Sequence, residues 1–258
     1  MPAHASTGPL SGCYVISLRP VGGHGPVRRA AAALGARTLA LSPWRIARHD
    51  DDRARAGLQR ALAAPRVVFT SPAAVAAAAA LQPLRPKPGQ AWVAVGAGSA
   101  RALDRAGAGH VPSPERMDSE GLLAMPALRE VRGLDVGLVT APGGRGVIAA
   151  TLAGRGARVL RANVYERVPV VPSARALAAL RALDAPTWLL LSSGEALEHL
   201  LASVPEDALA RLRGIPVVAA SERLGALAGD RGLQVAAVAA SARPSAMLAA
   251  CAGAMPKP

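Results

Sequence analysis

The chain has 258 residues, 51% hydrophobic and 18% charged, which is enough apolar material for a full core and too little charge for a disordered chain. No run of about 18 apolar residues is present to span a bilayer, and Met1 to Gly12 lacks the basic start and long apolar run of a secretory signal, so a cytoplasmic protein is expected. The net charge of +13 points to an anionic partner, although 28 Arg against 2 Lys with 60 Ala is also what a GC-rich genome supplies, and six aromatics give no stacking platform for nucleic acid.

Short β-branched or leucine runs alternate with alanine-rich stretches of helical length, the pattern of βα units around parallel sheets. The strands predicted in chain order are Tyr14 to Leu18, Val67 to Thr70, Trp92 to Val95, Val136 to Thr140, Trp188 to Leu191, Ile215 to Ala219 and Gln234 to Val238. Each except the last is expected to lead through a turn of small or polar residues into a helix. Prolines make Gln82 to Gln90 and His110 to Asp118 loops. Cys13 and Cys251 lie near opposite ends with no CxxC or histidine spacing, so neither a disulfide nor a zinc site is indicated.

An offset of about 121 to 124 residues aligns the chain with itself in three blocks. Tyr14 to Leu39 resembles Gly137 to Leu160, each with a Gly-Gly turn and the ending Gly-Ala-Arg-x-Leu. Phe69-Thr70-Ser71 resembles Leu191-Ser192-Ser193, and Val95 to Gly107 resembles Ala219 to Gly232. Two similar α/β lobes follow. Leu39 to Ile46 and Leu160 to Val168 are equivalent, extended segments, with Trp44 aligned to Tyr165. If both are crossovers, residues 1–41 and 168–258 form one discontinuous lobe and residues 42–167 an inserted one.

Open parallel sheets bind ligands beyond the carboxyl ends of their strands. The turns there carry Thr70-Ser71, Ser99, Ser192-Ser193 and Ser221 ahead of helices, suited to carboxylates or phosphates but equally to plain helix capping. Val95-Gly96-Ala97-Gly98-Ser99 lacks the third glycine of a dinucleotide fingerprint, and no GxSxG elbow follows a strand. His4, His24, His49, His110 and His199 have no ligand spacing, and no paired carboxylates emerge. Any chemistry here must work with little acid–base equipment.

Taken in order, Phe69-Thr70-Ser71-Pro72, Ser119-Glu120-Gly121-Leu122, Gly143-Gly144-Arg145, Tyr165, Leu190-Leu191-Ser192-Ser193-Gly194-Glu195-Ala196-Leu197 and Val218-Ala219-Ala220-Ser221-Glu222-Arg223-Leu224 resemble the uroporphyrinogen-III synthase family, as does Arg19-Pro20 after the first strand. The resemblance implies two flavodoxin-like lobes with parallel sheets joined by a two-stranded β linker, and an active site in the cleft. It also implies a monomeric enzyme of tetrapyrrole biosynthesis without cofactor or metal, acting on hydroxymethylbilane and meeting hydroxymethylbilane synthase transiently.

Carried over residue by residue, the resemblance makes Tyr165 the group assisting departure of the substrate hydroxyl, against the alternative of a packed strand aromatic. Arg19, Thr70, Ser71, Ser99, Gly144, Arg145, Ser192, Ser193, Gly194, Ser221 and Arg223 become substrate-holding positions. Two departures stand out: Ser17-Leu18 replaces the usual Thr before Arg19-Pro20, and Thr140-Ala141-Pro142 replaces an Arg-Gly-Asn type turn. The competing reading is a noncatalytic two-lobed binder of a polyanionic small molecule.

Overall fold

The computed structural model describes residues 8–116, 118–143 and 146–255. The strands are β1 (Tyr14–Ser17), β2 (Arg37–Ala40), β3 (Trp44–Arg48), β4 (Arg66–Phe69), β5 (Ala91–Ala94), β6 (Asp135–Thr140), β7 (Arg158–Asn163), β8 (Tyr165–Pro169), β9 (Thr187–Leu191), β10 (Val217–Ala219) and β11 (Val235–Val238). The helices are α1 (Gly25–Ala33), α2 (Asp52–Ala63), α3 (Pro72–Leu81), α4 (Ala97–Leu103), α5 (Ser119–Leu123), α6 (Pro126–Arg129), α7 (Val147–Gly154), α8 (Ala174–Arg181), α9 (Gly194–Ser203), α10 (Glu206–Arg213), α11 (Glu222–Asp230) and α12 (Pro244–Gly253). Among the described residues no helix is long and apolar enough to cross a membrane.

The chain divides into two compact units. One takes the residues up to Arg45 and those from Val168 onward; the other is Ile46–Arg167. In the first, five parallel strands lie in the order β11-β10-β9-β1-β2; in the second, four lie in the order β5-β4-β6-β7. The repeat is therefore a repeat of topology: β1-β2 corresponds to β6-β7, β9 to β4 and β10 to β5.

Among the described residues β11 alone has no counterpart strand. At its place Ala94 N–H donates to Pro112 O at 3.0 Å, but Pro112 and Pro114 remove the donors a further ladder would need. Two other departures from the sequence reading concern edges and ends. β2 and β7 were not among the predicted strands, because each is a half-exposed sheet edge whose polar residues (Arg37, Thr38; Arg158, Arg161, Asn163) break the apolar run. The last strand does lead into a helix, α12, whose Pro244 sits in the first turn as proline tolerates.

Alternation along the strands explains the layering, since successive side chains point to opposite faces. Ile16, Leu189 and Leu191 enter one core cluster of the first unit, while Val15, Trp188 and Leu190 enter the other. In the second unit Val67 and Phe69 face one cluster and Val68 the other. Each of these four clusters draws on one unit only. Cys13 and Cys251, remote in sequence, meet in one of them as buried free thiols, and burial pushes the Cys251 thiol up to about 12.

β3 and β8 pair in a two-stranded sheet. Val170 N–H bonds Pro43 O and His49 N–H bonds Val164 O, both at 3.0 Å, and this opposed order of partners makes the pair antiparallel. Trp44 and Tyr165, the aligned aromatics, open these two strands and are 4% and 3% exposed. Trp44 belongs to a core of the first unit and Tyr165 to a core of the second.

Candidate active site

The carboxyl ends of β4 and β6 and the start of β8 enclose a cavity of about 260 Å³ within the Ile46–Arg167 unit, lined by Thr70, Ser71, Thr140, Arg161, Tyr165 and Arg167 among others. Ser71 caps α3, its Oγ accepting the Ala74 N–H at 3.0 Å, and the same Oγ lies 3.0 Å from Tyr165 Oη. Ser71 Oγ accepts the Ala74 N–H with one lone pair and keeps a second, so either hydroxyl can donate across this contact; when Ser71 donates to Tyr165 Oη, the phenolic proton is left for a ligand. Thr70 Oγ1 lies 2.9 Å from Thr140 Oγ1 and 3.3 Å from Val139 O.

Tyr165 and Arg167 share a face of β8 because strand side chains alternate, and both line the cavity. Arg161 is fixed by donation from Nη2 to Ala141 O at 2.6 Å and from Nε to Asn163 Oδ1 at 2.9 Å. The wall opposite is the turn from β6 to α7, where Gly143 and Gly146 take φ of 81° and 66°, a left-handed backbone that favours glycine. Gly144 and Arg145 lie outside the described residues.

The other sequence-predicted positions are distributed over separate turns. In the first unit, Arg19 and Ser192 line a small pocket of about 10 Å³ at the ends of the adjacent strands β1 and β9. Arg19 reaches Ala242 O at 3.4 Å, and burial pulls its guanidinium below its ordinary value. Ser193 caps α9 by accepting the Ala196 N–H at 3.3 Å, and Gly194 opens that helix beneath Leu227, whose Cδ2 would stand 2.6 Å from an added Cβ. Ser221 takes the cap position of α11 without a side-chain capping bond, and Arg223 is exposed on the first turn. Ser99 is not in a turn at all: Gly96 holds the cap position and Ser99, 2% exposed, is buried in α4.

A profile of "uroporphyrinogen-III synthase HemD" matches residues 26–249. The chain belongs to the uroporphyrinogen-III synthase family. It is 32% identical to the uroporphyrinogen-III synthase of Escherichia coli K12 over 164 residues, 62% of this chain, and to that of Salmonella typhimurium LT2 to the same degree. The match spans 65% of the length of each of these curated relatives. Among solved structures, a uroporphyrinogen III synthase mutant from the extreme thermophile Thermus thermophilus superposes with a TM-score of 0.61 at 19% identity, covering 94% of this chain and 98% of that one. The Helicobacter pylori 26695 uroporphyrinogen-III synthetase gives 0.62 at 13% identity, covering 95% and 100%. These two likenesses establish the fold, two parallel α/β units with a two-stranded β linker.

Several groups beside the family's turns escaped the sequence reading. Arg161 and Arg167 flank Tyr165, and the period of two linking 165 to 167 was the available signal. Thr140 stands where the family pattern is lost, yet it lines the same cavity and meets Thr70. His24, 4% exposed, joins Ser17 (Nδ1 to Oγ, 3.0 Å) and Ser42 (Nε2 to Oγ, 2.8 Å) at the ends of β1 and β2. Burial first, then Arg28 and Arg19, holds its pKa below the ordinary value. Among the described residues no three His, Cys, Asp or Glu side chains gather in a way that could hold a metal ion.

Proposed function

We propose that this chain is a uroporphyrinogen-III synthase, cyclising hydroxymethylbilane to uroporphyrinogen III with loss of water and inversion of ring D. One observation carries the reading to the level of atoms: the Tyr165 hydroxyl, in hydrogen-bond contact with Ser71, on the wall of a cavity flanked by Arg161 and Arg167. Tyr165 Oη donates its proton as the terminal C–O bond breaks, and water departs. The methylene pyrrole left behind is electrophilic. The substituted carbon of ring D attacks it to form a spiro intermediate, whose fragmentation and recombination invert the ring. Ser71 O–H steadies the charge developing on the phenolic oxygen.

Spontaneous closure gives isomer I, so the main task of the protein is to hold a conformation. Such orientation effects reach about 7–11 kcal/mol in favourable cases. Arg19, Thr70, Ser71, Ser192, Ser193, Gly194, Ser221 and Arg223, with Gly144 and Arg145, are proposed to hold the substrate through helix-start N–H groups, hydroxyls and guanidinium groups. Ser99, sealed in α4, acts on that set only by packing. The reading includes a cytoplasmic monomer that meets hydroxymethylbilane synthase transiently, needs no cofactor, and is built from lobes of residues 42–167 and of residues 1–41 with 168–258.

The test is direct. Purified protein given freshly generated hydroxymethylbilane is expected to raise the ratio of isomer III to isomer I after oxidation, with or without a chelator. A ratio equal to that of spontaneous closure, with the ligand still bound, would favour the noncatalytic binder.

A further inference from the structure

A second cavity, of about 350 Å³, lies in the Ile46–Arg167 unit at the outer edge of its sheet, lined by His49, Asp51, Arg53, Gly57, Arg60 and Arg161 among others. Three guanidinium groups, one imidazole and one carboxylate line it, and the imidazole Nε2 lies 3.9 Å from a second carboxylate, that of Glu166. The lining carboxylate, Asp51, is engaged in capping α2, its Oδ1 accepting the Ala54 N–H at 2.8 Å. Arg161 has Nε and Nη2 occupied by Asn163 and Ala141, which leaves N–H groups of its fork for another acceptor. Arg53 and Arg60 differ from the arginines of the surface ion pairs, such as Arg158 with Asp135 or Arg231 with Glu198. Among the described residues neither of these two side chains has a hydrogen-bond or ion-pair partner.

The helix itself makes the space. Positions 53, 57 and 60 fall on one face of α2 by the spacing of three and four residues. The residue between the two arginines is Gly57, in the middle of a 12-residue helix, where glycine is among the poorest helix formers. A Cβ at Gly57 would meet nothing within 4 Å, so no packing demand explains the glycine. What its missing side chain provides is open room between two unpaired guanidinium groups.

We propose that this cavity is a binding site for clustered carboxylates, with Arg53 and Arg60 as its anchors, Arg161 as the link to the Tyr165 cavity that it also lines, and Gly57 as its floor. Planar guanidinium forks recognise carboxylates bidentately. The occupant is either a carboxylate-bearing arm of the substrate, which rests on the function proposed above, or a free polycarboxylate acting on the enzyme from outside the reaction.

The probe is citrate, titrated calorimetrically into the full-length protein at low ionic strength. The variants are Arg53→Ala/Arg60→Ala, which removes the anchors, and Gly57→Leu, which keeps every charge and fills the space. Both changes are on an exposed helix face, and Gly57→Leu raises helix propensity, so folding is preserved and is checked by circular dichroism. Saturable citrate binding weakened about tenfold or more in both variants is expected. Absent binding, or binding that survives Gly57→Leu, overturns the proposal as mere surface charge.

Turnover then separates the two occupants. A KM for hydroxymethylbilane raised several-fold with kcat unchanged, and competition by citrate, identifies the substrate arm. Unchanged KM with noncompetitive citrate identifies the free anion. Because citrate binding is read without turnover, failure of the synthase reading leaves this site tested on its own.

Discussion

Tyr165 is the residue on which chemistry and packing compete. It is almost fully buried and belongs to a core cluster, as an ordinary strand aromatic would, but its hydroxyl meets Ser71 at a cavity wall rather than a backbone carbonyl. Phenylalanine would keep the packing and remove the proton. Tyr165→Phe is therefore expected to lower kcat by about 10²-fold, the usual contribution of a general acid, with little change in KM. Steady-state kinetics on the variant and the parent protein check it, and equal losses in binding and turnover would return Tyr165 to a packing role. Arg161→Ala, by contrast, should mainly raise KM, and the excess over the parent protein should shrink as salt increases, because the charge removed is exposed and its attraction is screened in the parent.

His24 makes a second prediction at this scale. Its folded pKa lies below the ordinary 6.5 because burial disfavours the imidazolium. The unfolded chain therefore binds more protons as the pH falls through that range. His24 contributes fully above about pH 6.5, and stability is lost as the pH drops below it towards the depressed folded value. Thermal melts from pH 8 to pH 5 should show this loss, and His24→Asn should flatten it. A pH dependence unchanged in His24→Asn would assign it elsewhere.

Among the elements, α2 and β6 are closely fitted. A Cβ on Gly137 would stand 2.0 Å from Ala61 O and 2.7 Å from Ala61 C, both backbone atoms, so the helix can seat on the sheet only against a glycine. Gly137→Ala must move the helix or the strand and is expected to cost about 2–3 kcal/mol, at the upper end of core overpacking. Ser193→Ala, which removes only the cap of α9, should cost about 1 kcal/mol. Denaturant unfolding monitored by circular dichroism ranks the two, and a smaller loss for Gly137→Ala would contradict this packing argument.

In the whole molecule, the four core clusters each fall within one of the two units. A core that borrows nothing from outside its unit should survive excision. The fragment 46–167 is expected to unfold cooperatively on its own, measured by near-ultraviolet circular dichroism of Trp92. A fragment without a transition would mean that the middle unit needs the rest of the chain to fold. The exposed ion pairs Arg181 with Asp207 and Arg231 with Glu198, both in the unit that holds the chain ends, contribute little to its stability.

What the sequence by itself determined were the features written locally. Buried parallel strands appear as apolar runs, so β1, β4, β5, β6, β9 and β10 were legible, as was their repeated order; the half-exposed edge strand β11 was legible only because its Val-Ala-Ala-Val is apolar throughout. Capping hydroxyls announced the starts of α3 and α9, and the motif set carried the family. Edge strands β2 and β7 were not legible, since a half-exposed edge needs no apolar pattern and owes its existence to the neighbour it pairs with.

Contacts across long separations were hidden for the same reason. Ser71 and Tyr165 are 94 residues apart, and Ser17, His24 and Ser42 meet only because β1 and β2 run side by side. The cysteines at opposite ends share one core. Periodicity records whether a side chain faces inward or outward, but not which side chain it will face; that is settled when the strands take their order in the sheet. Tertiary structure alone therefore buried Ser99, joined Arg161 and Thr140 to the tyrosine, and opened the space over Gly57 between two arginines.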